Sequence, residues 1–135
     1  MKNASLAFLF ARLPIALSFF GHGLVRLPKL DKFSSWMVGL FQDSMLPTAL
    51  VQPFSYFLPV AELVIGLLLV LGLFTRQSLI AGALVVLALI FGSCLLEEWQ
   101  NVFVQMMYGL YLAGLLLFVS DWNQYSFDAK LRRSR

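Results

Sequence analysis

The hydrophobic residues of this 135-residue chain fall into four long runs that are separated by short polar stretches. The runs cover roughly residues 5–25, 53–74, 78–96 and 101–120, and each approaches the length of about 20 residues that a helix needs to cross a bilayer. Because lipid offers the backbone no hydrogen-bonding partners, such runs must be helical. The pattern therefore predicts an all-α fold, a polytopic membrane four-helix bundle that forms a single domain.

The stretch between the first and second runs follows a different pattern. It is too polar and too interrupted by proline to span a membrane. Its large apolar residues nevertheless recur at the spacing of one helix face: Phe33, Trp36, Met37, Leu40 and Phe41. One apolar face on an otherwise polar helix is typical of a helix that lies in the membrane interface. We therefore predict an interfacial amphipathic helix between spans one and two.

Composition narrows the function classes. The chain is 60% hydrophobic and only 13% charged, with a net charge of +3. Four of its ten basic residues stand in the last six positions, a membrane-flanking tail and not a nucleic-acid-binding stripe. A single cysteine, Cys94, excludes an intrachain disulfide, and a single histidine excludes bis-histidine haem ligation and multi-histidine metal sites. We expect no metal site, no covalently bound cofactor and no nucleic-acid partner.

The distribution of basic residues predicts the orientation in the membrane. One side receives six of them, from Lys2, Arg76 and the last six positions of the chain. The other side receives Arg26, Lys29 and Lys32 beside two glutamates. Since the side richer in Lys and Arg near the span ends is usually cytoplasmic, we expect both termini in the cytoplasm, with residues 121–135 as a soluble basic tail.

Polar side chains inside the spans point to a site. At 1.5 Å per residue, His22 lies about 5 Å from the outer end of span one and Glu62 about 13 Å from the start of span two. Asn101 and Gln105 share one face of span four and enter from the same side, while Arg26 follows His22 by one turn. These five residues are predicted to form a polar cluster that binds a ligand or relays protons, or alternatively a buried structural network.

Arg12 is a third charged residue within a predicted span. It lies about two turns from the inner end of span one, so its long side chain can reach the cytoplasmic interface or pair with Asp121. We predict a structural polar role for Arg12.

The order of several motifs resembles one family. Phe20–Leu24 reads FGHGL and is followed by Lys29, Glu62 and then Gly66–Arg76, which reads GLLLVLGLFTR. Each motif is short, but their order, their spacing and the four-span layout together resemble the DoxX family of bacterial membrane proteins. The family's characteristic positions carry over to this chain as Arg12, His22, Gly23, Glu62, Gly66, Gly72 and Arg76.

The resemblance implies a multi-pass protein of the bacterial inner membrane, related to subunits of quinone-linked membrane oxidoreductases. It also implies a structural polar role for Arg76. Family membership alone does not supply a reaction, so the sequence leaves open whether this chain is an enzyme.

Three hypotheses follow. In the first, the protein is a quinone-associated or redox-linked subunit in which His22, Arg26 and Glu62 hold a polar head group or move protons. In the second, it is a non-catalytic scaffold that anchors or stabilises a soluble partner through its basic tail and interfacial helix. Either role allows a partner protein subunit or a homo-oligomer. In the third, it is a small-molecule carrier, which is disfavoured because four spans leave little room for alternating access.

Overall fold

The computed structural model describes residues 2–134, which form six α-helices and one short 3-10 helix. The order along the chain is α1 (Lys2–Arg26), a 3-10 turn (Leu27–Lys29), α2 (Leu30–Leu40), α3 (Thr48–Leu71), α4 (Thr75–Leu95), α5 (Trp99–Trp122) and α6 (Phe127–Arg133). The helices α1, α3, α4 and α5 are long and apolar enough to cross a membrane. The prediction of an all-helical, four-span fold is confirmed, and α2 lies between the first two spans as expected.

The four spans form a closed ring. Helix α1 packs against α3 and α5, and α4 packs against the same two helices from the other side, while α2 packs on α3. Leu58, Leu69, Leu79 and Leu112 are almost fully buried where these helices meet. We call the end of the bundle with α2 and the α4–α5 connection the α2 end, and the opposite end the α6 end.

Helix α3 begins five residues earlier than the sequence pattern indicates. It starts at Thr48, after Pro47, and continues through Pro53, which was predicted to be its first residue. Pro53 is the sixth residue of α3, beyond the first four residues whose N–H groups have no acceptor within the helix, so the helix continues through it although Pro53 cannot donate to the carbonyl oxygen of Ala49. Glu62 is therefore about 21 Å along α3 from its first residue, deeper than the predicted distance of about 13 Å.

Two glycines allow α1 and α3 to approach closely. A Cβ atom on Gly23 would lie 2.5 Å from the backbone nitrogen of Leu63 and 2.6 Å from the carbonyl oxygen of Pro59. A Cβ atom on Gly66 would lie 2.2 Å from the backbone nitrogen of Phe20. Contacts of this kind with backbone atoms leave no room for a side chain, so small residues at this crossing bring His22 and Arg26 close to α3.

Replacing Gly23 by alanine is therefore expected to destabilise the bundle by about 2 kcal/mol, because α1 must move away from α3. Gly21→Ala is the matched control, since a Cβ atom at that position meets nothing within 4 Å. The free energies of unfolding can be compared by titrating both variants with SDS in detergent. Equal stability of the two variants would show that the helices do not cross at Gly23.

The α6 end is closed by residues of the predicted soluble tail, which the structure shows packed against the bundle instead of free of it. Helix α5 continues to Trp122, and the chain then turns back so that Asn123 and Ala129 are buried against the bundle. The backbone N–H of Asp128 donates to the carbonyl oxygen of Gly72 at 3.0 Å. The tail packs because it supplies hydrogen-bonding partners to the α3–α4 turn, whose backbone groups would otherwise be unpaired.

Candidate functional site

The five residues of the predicted cluster line one cavity at the α2 end. The cavity has a volume of about 550 Å³ and is partly open. His22 and Arg26 reach it from α1, Glu62 from α3, and Asn101 and Gln105 from α5. The structure thus brings these side chains together, and their role as ligand-binding or proton-relay residues stays a prediction.

An ion pair forms the polar centre of the cavity. Arg26 Nη1 donates to both oxygens of Glu62, at 3.1 Å to Oε1 and 2.8 Å to Oε2. The Glu62 side chain is 7% exposed and that of Arg26 is 26% exposed, so the carboxylate is the deeper partner. The Arg26 guanidinium also lies 4.5 Å from the centre of the Phe33 ring, a cation–π contact. Helix α2 therefore helps to hold Arg26 in place, a role of Phe33 that the sequence did not predict.

Helix α2 is fixed over the cavity by two hydrogen bonds to α3. Ser55 Oγ donates to Ser34 Oγ at 2.6 Å in a buried position, and Tyr56 Oη donates to Asp31 Oδ1 at 2.7 Å on the surface. Trp36, which stands between these anchors and the end of α2, lines the cavity. The amphipathic pattern of α2 thus has a specific consequence, since its apolar face forms one wall of the cavity.

Several hydrogen-bonding atoms of the cavity are left available. Arg26 Nη2 and Nε make no hydrogen bond within residues 2–134, and Gln105 Oε1 is buried without a partner among the same residues. His22 Nδ1 lies 2.6 Å from the Ser18 carbonyl oxygen, which can only accept, so Nδ1 carries the proton. The other ring nitrogen, Nε2, is then an acceptor in the neutral ring and a donor in the protonated ring. The site therefore offers both donors and acceptors.

The rest of the cavity is mainly apolar, with aliphatic and aromatic side chains. Its walls include seven aromatic side chains, contributed by all four spans, α2 and the residue that follows α2: Phe19, Phe33, Trp36, Phe41, Phe54, Phe91 and Tyr108. Apolar walls with a few convergent polar groups are typical of small-molecule sites, which usually have volumes of about 300 to 1,000 Å³. The arrangement suits a ligand with a flat apolar body and a polar head.

Arg12 does not pair with Asp121, and its side chain extends instead to the turns at the α6 end, where it is buried. It is 2% exposed, and its guanidinium donates to Asn123 Oδ1 and, at 3.0 Å, to the carbonyl oxygen of Tyr125. Asn123 Nδ2 in turn donates to Thr75 Oγ1 at 3.0 Å. The returning tail supplies these acceptors beside Arg12, and their hydrogen bonds offset part of the cost of burying the cation.

Asp128 completes this network at the α6 end. Its carboxylate accepts from the Phe74 and Thr75 backbone N–H groups, each at 2.8 Å, and from Thr75 Oγ1 at 2.7 Å. Asp128 thus caps α4, although it stands 53 residues away from Thr75. Sequence patterns identify caps from neighbouring residues, so nothing in the sequence pointed to this contact. Arg76 is exposed nearby and lines a separate cleft.

The fold and cavity define this chain as a small four-span membrane protein with a polar site enclosed by helices. The family model named DoxX matches residues 7–95, more than half of the chain, and the protein belongs to the DoxX family. The matched region contains His22, Arg26 and Glu62, whereas Asn101 and Gln105 lie beyond it on α5. No curated protein and no solved structure gives a significant match to the chain.

Proposed function

We propose that this protein is a quinone-associated subunit of a membrane oxidoreductase system and that the cavity at the α2 end holds the quinone head group. The observation that carries the proposal is the placement of a charged pair, Arg26 and Glu62, in the wall of a mainly apolar cavity that includes several aromatic side chains. A quinone has a flat ring, two carbonyl oxygens and an apolar tail. The cavity offers aromatic side chains for the ring, hydrogen-bonding groups for the carbonyl oxygens and apolar walls for the tail.

Each polar residue has a defined task in this proposal. The free N–H groups of Arg26 donate to one carbonyl oxygen of the head group, while Nη1 stays bonded to Glu62. His22 Nε2 accepts from the head group when the ring is neutral and donates to it when the ring is protonated, and the Glu62 carboxylate holds Arg26 in place by accepting from it. Gln105, whose Oε1 lacks a partner within residues 2–134, is placed to accept from a hydroxyl group. The bound quinone would supply the redox chemistry.

The aromatic walls orient the ring. Phe33 and Trp36 on α2 face the cavity together with Phe19 on α1 and Tyr108 on α5. Offset or edge-to-face contacts with an aromatic ligand contribute about 1 kcal/mol each beyond simple burial. This part of the site recognises a flat ring, and it would bind a flexible acyl chain with less selectivity.

Binding can be followed through Trp36, whose indole lines the cavity. Titration of the purified protein with a short-chain ubiquinone analogue should quench the Trp36 fluorescence saturably. The substitution Trp36→Phe should abolish this quenching. Glu62→Gln and His22→Ala are each expected to weaken binding about tenfold, because each removes a hydrogen bond that involves a charged or ionisable group. The matched control is Glu98→Gln, at an exposed position that is not part of the cavity lining.

If folded Glu62→Gln and His22→Ala proteins bind the analogue as tightly as Glu98→Gln, the proposal is wrong and the polar cluster is a structural network. Circular dichroism establishes whether each variant is folded, so a loss of binding caused by unfolding is recognised.

We also propose that the protein lies in the bacterial inner membrane with both termini in the cytoplasm, as the distribution of basic residues suggests. The cavity then opens toward the outer half of the bilayer. A C-terminal alkaline phosphatase fusion should accordingly be inactive, and an active fusion would reverse the orientation.

A further inference from the structure

The α6 end carries a second cleft, which the proposed function does not use. It has a volume of about 370 Å³ and lies between the start of α4, the end of α5 and α6. Arg76 and Gln77 contribute from α4, Ser120 from α5, and Arg132 and Leu131 from α6. The cleft is far from the quinone cavity, because it lies at the opposite end of α4 and α5.

The two arginines of this cleft carry more positive charge than its one carboxylate, Asp128, balances, although Asp128 is close enough to Arg132 to interact with it electrostatically. No carboxylate of residues 2–134 lies within 4.0 Å of the Arg76 or Arg132 guanidinium group. Asp128 also lines the cleft, but both of its oxygens accept hydrogen bonds from Phe74 and Thr75. Two guanidinium groups therefore line one cleft, and their N–H groups make no hydrogen bond within residues 2–134. Such groups bind phosphate oxygens in a bidentate manner.

Apolar surface continues from the cleft along the spans. Phe74 and Leu131 are 58% and 54% exposed beside the arginines, and Val119 forms part of the wall. Farther into the membrane, Leu84 on α4 and Leu117 on α5 are also exposed. The cleft itself lies where α4 begins and α5 ends, the level at which head groups meet the hydrocarbon region. A ligand at this position has an anionic head against the arginines and acyl chains against the spans.

We propose that this cleft binds the phosphate head group of an anionic phospholipid through Arg76 and Arg132. Basic residues near a membrane surface each contribute about fivefold to the affinity for anionic lipid. Lys130 and Arg133, both exposed on α6, add positive charge next to the cleft. The bound lipid would hold α6 against the ends of α4 and α5 and so stabilise the end of the bundle that Arg12 and Asp128 close.

Native mass spectrometry of the detergent-purified protein tests the proposal with phosphatidylglycerol and phosphatidylcholine as probes. The wild-type protein is expected to prefer phosphatidylglycerol, and Arg76→Gln/Arg132→Gln to bind it about 25-fold more weakly. Each single variant should lose about fivefold. The matched control is Lys29→Gln/Lys32→Gln, which removes two exposed positive charges at the α2 end and should keep the preference.

Three results would overturn the proposal. The first is a folded Arg76→Gln/Arg132→Gln variant that binds phosphatidylglycerol like the wild-type protein. The second is an equal loss in the Lys29→Gln/Lys32→Gln control, which would indicate unspecific attraction by net charge. The third is displacement of the lipid by excess inorganic phosphate, which would assign the cleft to a free anion. The arginines are exposed, so each single variant is expected to fold and to give a measurable affinity.

Discussion

Arg12→Met is expected to lower the free energy of unfolding by about 3 kcal/mol, since it removes a buried cation around which its acceptors are arranged. Methionine is an apolar side chain of roughly similar volume to arginine. The loss of free energy of unfolding therefore reflects the lost hydrogen bonds more than a newly formed cavity. Asn123 Oδ1 and the Tyr125 carbonyl oxygen would both lose their donor. SDS titration in detergent measures the change, and Lys2→Met, at an exposed position of the same helix, is the control.

A double-mutant cycle with Asn123→Ala shows whether the two residues act as a unit. We expect Arg12→Met/Asn123→Ala to cost clearly less than the sum of the single variants, because either change alone already breaks the link from α1 to the tail. Arg12→Lys should retain part of the stability, since an ammonium group is charged but cannot reach two acceptors in the geometry of a guanidinium fork. Additive single effects would contradict the network at the α6 end.

Arg26→Met is the second change with a large expected effect, again about 3 kcal/mol. It leaves the Glu62 carboxylate, which is 5% exposed as a residue, without the cation that donates to both of its oxygens. An unpaired charge in a low-dielectric site is costly, whereas an apolar pair of similar size is not. We therefore expect the double variant Arg26→Met/Glu62→Met to recover to within about 1 kcal/mol of the wild-type stability.

Measurements of stability and of binding then distinguish a structural role of the Arg26–Glu62 pair from a role in ligand binding. The Arg26→Met/Glu62→Met protein should be stable. Its Trp36 fluorescence should not be quenched on titration with the quinone analogue, because the charged pair that binds the polar head group is gone. A double variant as unstable as the sum of the two single changes would show that Arg26 and Glu62 do not interact. A stable double variant that still binds the analogue would show that the charged pair does not take part in binding.

The spans and α2 could be predicted from the sequence because their signals are local. Apolar runs of the right length identify the spans, and helical spacing from Phe33 to Phe41 identifies α2. The boundary of α3 was wrong by five residues, since Pro53 was taken as a helix start although the helix continues through it. The depth of Glu62 depended on that boundary and changed with it.

Much of the candidate site could also be predicted from the sequence. Charged and polar residues inside spans are few, and they usually face the interior of the bundle and pair with one another. His22, Arg26, Glu62, Asn101 and Gln105 were grouped by span direction alone, and they line one cavity. The network of Arg12, Asn123, Thr75 and Asp128 could not be predicted in this way. It joins residues up to 111 positions apart through a tail that reverses direction, and neither charge nor periodicity encodes that reversal.

The cavity at the α2 end is proposed to hold a quinone. The most direct test of this proposal is to purify the protein from the membrane in mild detergent, extract it with organic solvent and quantify quinone per chain. We predict close to one equivalent for the wild-type protein and for Glu98→Gln, and a clearly lower content for folded Glu62→Gln, in line with its about tenfold weaker binding. Extracts that contain phospholipid but no quinone, or Glu62→Gln protein that retains a full equivalent, would contradict the account.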